Sequence, residues 1–127
     1  MKVEMSLGDV VDRITILRIK VERIGDAARR ENVRRELAVL EAAWSDAGLP
    51  ALEGLADWAP LSAVNARLWA IEDALRDRER ARDFGPAFVE DARAVYHLND
   101  ERAALKRRLN LSLGSEIVEE KSYAAYT

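Results

Sequence analysis

The chain has 127 residues, of which 34% are charged, with 20 Lys and Arg set finely among 23 Asp and Glu. That is one domain's length, and a net charge of −3 gives no general attraction to nucleic acid or to an anionic membrane surface. The absence of cysteine excludes disulfides, thiolate metal sites and thiol nucleophiles, no segment is apolar for long enough to span a bilayer, and cytoplasmic is the default location.

Helical periodicity starts at once. Leu7, Val10, Ile14, Leu17, Val21 and Ile24 recur at steps of three and four, the spacing of one helical face. Ser6 is placed to cap this first helix and Asp9 to sit at its positive end, so it is expected over 7–24. Ile16 and Ile19 fall on nearly the opposite side, together with Asp12, Lys20 and Arg23. A helix apolar on two sides is enclosed on both, which leads to the expectation of a homodimer through Ile16 and Ile19. The period slips at Gly25, and a new face at Val33, Leu37, Leu40 and Trp44 predicts a second helix over 27–46 capped by Asp26; one long helix kinked at Gly25 is the alternative.

Residues 47–59 form an apolar linker, expected to lie across the open end of a core. Pro60 suits a first helical position, so the third helix is expected over 60–82, with Leu61, Val64, Leu68, Ile71 and Leu75 as its core stripe. A turn at Asp83–Pro86 leads to a fourth helix over 86–111, its inward face read as Phe88, Ala92, Val95, Leu109 and Leu113. Beyond Gly114, residues 115–127 carry Ile117, Val118, Tyr123 and Tyr126, too apolar for a purely solvated tail. The expected fold is all-α: a single-domain antiparallel four-helix bundle of helical hairpins, with an extended C-terminal tail packed on it.

Polar residues interrupt these core stripes. Asn99, Arg102 and Lys106 fall within the inward arc of the fourth helix, and Asn65, Trp69, Glu72 and Arg76 form a stripe beside the core stripe of the third. With up-down connectivity, Asp12 comes level with them, and Lys121 and Tyr123 of the tail are placed to close the belt. Polar groups on a packed face must be paired or hydrated. One reading is an interhelical network that fixes which helix meets which. The other is a pocket for a small anionic ligand, because the cations outnumber Asp12 and Glu72; Glu116, Glu119 or Glu120 of the tail would cancel that surplus. The residues leave both open.

Other chemistries find less support. His97, the one histidine, points away from the inward face. A di-iron bundle needs paired Glu-x-x-His motifs, and residue 94 is alanine, so no metal or other cofactor is expected. No phosphate-binding glycine loop or aromatic-studded basic strip occurs, and Trp44 and Trp58 read as packing residues.

Four strings, Asp12–Lys20, Leu68–Arg76, Tyr96–Arg107 and Glu119–Tyr123, together resemble a bacterial family of small proteins of unknown function, along nearly the whole chain. The resemblance implies a free-standing protein and a setting near glycosyltransferases and cell-surface polysaccharide genes; it transfers no catalytic residue. The expected function is a non-catalytic binding or adaptor protein linked to cell-surface polysaccharide assembly. The alternative is a small helical enzyme holding an anionic metabolite in an Arg/Lys/Glu pocket, so whether the chain is an enzyme stays open at this point.

Overall fold

A computed structural model describes residues 1–126, and Thr127, the last residue of the expected tail, lies outside them. The described chain is all-helical, with four α-helices and no strand. They are α1 (Leu7–Arg23), α2 (Ala27–Asp46), α3 (Trp58–Arg80) and α4 (Pro86–Leu113). A single 3₁₀ turn, Leu52–Gly54, lies in the linker between α2 and α3.

Local chemistry accounts for the ends. Ser6 accepts a hydrogen bond from the Asp9 N–H, and Asp26 accepts one from the Arg29 N–H, each satisfying a donor that the first helical turn leaves unpaired. Ile24 is extended between them, so α1 and α2 are separate helices. The Arg30 guanidinium fixes the corner by donating twice to the Ile24 carbonyl, at 2.8 and 3.0 Å. The third helix opens at Trp58, two residues before Pro60, because no N–H of a first turn has an intrahelical partner and proline fits anywhere in it. The fourth continues to Leu113, two residues past the expected end, and stops where Gly114 turns left-handed at φ 68°.

The helices α1, α3 and α4 pack against one another, whereas α2 packs mainly on α1. The shared core contains Val11 and Ile14 of α1, Leu61, Val64 and Leu68 of α3, and Leu98, Leu105 and Leu109 of α4. From α2, only Trp44 is fully buried, and its indole N–H donates to the Pro50 carbonyl at 2.7 Å, which folds the linker onto the core. Arg18 ties the same corner together. It reaches Glu41 of α2 at 3.3 Å and Glu53 of the 3₁₀ turn at 2.8 Å, and its guanidinium carbon lies 4.8 Å from the centre of the Trp58 ring. At the two ends of the α3–α4 pair, Asp57 accepts from Arg108 at 2.6 Å, and Arg78 pairs with Asp91.

The two-sided character of α1 is met within the chain. Val11, Ile14 and Leu17 are buried on one part of its circumference, Gly8, Asp12 and Thr15 on another, and Ile16 and Ile19 are half-buried. The expected dimer through Ile16 and Ile19 therefore has no support here, because the chain's own neighbours already cover much of both side chains. No helix of the described residues is long and apolar enough to cross a membrane.

Candidate functional site

The polar centre of the molecule is Asp12, only 4% exposed although it is charged. Arg102 of α4 grips it with two bonds, Nε to Oδ1 at 2.9 Å and Nη2 to Oδ2 at 2.5 Å. From α3, Asn65 donates to the same Oδ1 at 2.9 Å and to the Thr15 hydroxyl oxygen at 2.8 Å. Thr15 in turn donates to the Asp12 carbonyl at 2.7 Å. Three helices thus meet through one carboxylate, and no buried side-chain nitrogen or oxygen among the described residues lacks a partner. The bond to Asp12 raises the Arg102 pKa above its ordinary value against the opposing effect of burial.

One turn further along α4, Lys106 lies 2.9 Å from Asp9 and 3.4 Å from Glu119 of the tail. Glu119 is also 2.7 Å from Lys121. Its pKa is lowered, first by the Lys121 bond and further by the nearby Lys106 charge, although burial opposes both. For Asp9, burial pushes the pKa up, but the bonds from Lys106 and Ser6 outweigh it and leave the group below its ordinary value. The cation surplus read from the sequence is therefore met by Asp9 and Glu119. Asp9 stands three residues before Asp12 on the same side of α1, which is the signal that should have included it.

Close packing of α1 on α4 makes this register possible. A Cβ on Gly8 would lie 2.4 Å from the Lys106 carbonyl oxygen, so no larger residue fits without movement. The buried Asn110 side chain accepts the Gly8 N–H at 2.6 Å, and Ser115 Oγ accepts the Leu7 N–H at 3.0 Å. Both are the partners that the start of a buried helix requires. Neither Asn110 nor Ser115 stood out in the sequence, since a single Asn or Ser near a helix end carries no periodic signal.

Not all of the expected belt assembles. Glu72 and Arg76 are exposed and face each other at 4.0 Å as an i,i+4 pair, and Trp69 is half-buried. The buried residues of α1 end at Leu17 and those of α3 at Leu68, so only the Asn65 end of that stripe is covered. On α4 the buried face is centred on Leu98, Leu105 and Leu109, turned from the expected arc, of which Leu109 is buried and Val95 and Leu113 are partly buried against the core. This rotation leaves Asn99 exposed and Lys106 at the margin of the core.

Between the outer side of α4 and the tail lies a groove of about 930 Å³. It is lined in part by Asn99, Arg102, Lys106, Lys121 and Tyr123, with Tyr96 and His97 on its helix side and Tyr126 on its tail side. Tyr126 donates its hydroxyl to Asp100, and its ring meets His97 edge-on with centroids 5.3 Å apart. Tyr123 is 80% exposed, so it is presented to the groove mouth rather than anchored. Among the described residues no group of three or more His, Asp or Glu is arranged to hold a metal ion.

In comparison with known proteins, the model of a family of unknown function (DUF6165) matches residues 1–127. No curated protein matches the chain, and neither does any solved structure.

Proposed function

The chain belongs to this family of unknown function, and from that premise we propose that it is a cytoplasmic, non-catalytic binding or adaptor protein. The setting in cell-surface polysaccharide assembly is taken from the sequence resemblance alone. The reading is supported by one observation above the others: Arg102, Lys106 and Lys121 each already hold a carboxylate of the chain itself, beside a groove wide enough for a ligand. The enzyme alternative needs at least one of those pairs to open for an anionic metabolite, and each opened pair would leave a partly buried carboxylate behind.

The same proposal treats residues 1–127 as one antiparallel helical bundle with the tail laid on it. In its favour, Arg108 near the end of α4 meets Asp57 at the start of α3, and Asp91 near the start of α4 meets Arg78 near the end of α3. Titration of the protein with inorganic phosphate, followed by amide chemical shifts, tests the functional reading. An adaptor shows no saturable phosphate site at Arg102 and Lys106. Saturable binding there that disappears in Lys106→Gln would favour the enzyme.

A further inference from the structure

The tail has no regular secondary structure, yet it runs back along α4 through an ordered series of contacts. Glu119 meets Lys106, Glu120 meets Arg107 at 2.8 Å, and Tyr126 meets Asp100 and His97. The span is poorly matched to the chain that covers it. Seven residues from Glu119 to Tyr126 reach about 23 Å when extended, while α4 rises only about 9 Å from Asp100 to Lys106. Lys121, Tyr123 and Tyr126 of the tail line the groove opposite α4 along this stretch. An occupant shaped for this face would not leave about 930 Å³ between itself and the helix.

The contacts are also of a replaceable kind. Arg107 and Glu120 remain 48% and 73% exposed in their pair, and exposed ion pairs are weak and screened by salt. Ile117, Tyr123 and Tyr126 are exposed and Val118 is half-buried, so limited apolar area secures the segment. Beyond Ser115, next to the left-handed Gly114, a partly buried attachment remains at Glu119, which Lys106 holds at 3.4 Å.

We propose that the face of α4 from His97 to Arg107 is a peptide-binding groove, occupied loosely by the chain's own tail and open to an extended acidic, tyrosine-bearing segment of another protein. Such a partner places two neighbouring carboxylates on Lys106 and Arg107, an aromatic hydroxyl on Asp100 and its ring against His97. This rests on the binding-protein reading above and gives it a partner class. The cis tail acts as a competitor at the high effective concentration that a short connection provides.

The test uses full-length protein and a fluorescein-labelled synthetic peptide of residues 115–127, read by fluorescence anisotropy. A tail-released variant carries Glu119→Lys, Glu120→Lys and Tyr126→Ala. It should bind the peptide at least about tenfold more tightly than the parent does, because the cis competitor is gone. Binding should weaken as salt rises and vanish for a peptide carrying the same two lysines. A released variant with native circular dichroism and a cooperative melt that binds no better than the parent overturns the proposal. A parent chain that dimerises by exchanging tails assigns the groove to a second copy and equally overturns the partner class. If the variant fails to fold, amide chemical shifts of the parent decide. Shifts of 117–126 moving to random-coil values with added salt while those of α4 stay supports a displaceable tail; shifts unchanged in both overturn it. The phosphate titration with Lys106→Gln is read independently, so failure of the peptide result leaves the binding-protein reading to be judged by itself.

Discussion

Two clusters in this molecule use the same chemistry under different solvation. In the first, Asp12, Arg102, Asn65 and Thr15 join three helices around a carboxylate that is 4% exposed. In the second, Glu120, Lys121 and Arg107 are exposed along the tail, and half-buried Glu119 pairs with Lys121 and Lys106. A buried pair contributes little net stability against an apolar replacement but is costly to break from one side; an exposed pair costs little either way. The first cluster therefore specifies helix register, and the second is fitted to being exchanged.

Arg102→Ala should produce the largest effect that separates them. It leaves the Asp12 carboxylate buried with Asn65 as its remaining donor, and urea denaturation should register a loss of about 3 kcal/mol. Gly8→Ala should follow at about 2 kcal/mol, through overpacking against the Lys106 carbonyl rather than through charge. A lesser cost, measured the same way, would mean that α1 and α4 separate easily. Ending the chain after Glu116 should cost under about 1 kcal/mol, with the helical spectrum unchanged. A loss as large as that of Arg102→Ala would erase the distinction between the clusters.

The smallest effect is acid loosening of the tail. The Glu119 and Asp9 pKa values are depressed in the folded chain, so their contribution is complete above the ordinary carboxylate range of about 4. It is lost as pH falls through the depressed values. Amides of residues 117–121 should lose their folded-state chemical shifts below about pH 4, before those of α1 do. Simultaneous loss in both would place the tail in the same cooperative unit as the helices.

How much of this was legible follows from what periodicity measures. Caps are local, so Ser6 and Asp26 marked helix starts correctly, whereas the fourth helix runs past its expected end to Gly114. The polar interruptions at Asp12, Asn65 and Arg102 were visible as residues out of place on apolar faces, although their shared carboxylate was not. Periodicity identifies a face without saying what covers it. The stripe Val33, Leu37, Leu40 and Trp44 looked like a core face, yet only Trp44 is fully buried because α2 packs mainly on α1. On α4 the apolar positions allow two adjacent arcs, and the choice was settled by Gly8, whose missing side chain lets α1 approach the Lys106 turn. A glycine near a helix start reads as an end signal, and nothing in one sequence distinguishes that role from close packing.

The contacts that hold α1 to the rest of the molecule have a kinetic consequence. Leu7 to Ser115, Gly8 to Asn110 and Asp12 to Arg102 span 108, 102 and 90 residues of chain. Helices α3 and α4 pack together across a short connection and need no such loop. During synthesis α1 emerges first and waits for α4, its last-made partner, with Asp12 and its apolar neighbours still hydrated. Folding is thus expected to start with α3 and α4 and finish with the N-terminal helix, so that Val11→Ala changes mainly the unfolding rate and Leu105→Ala the folding rate.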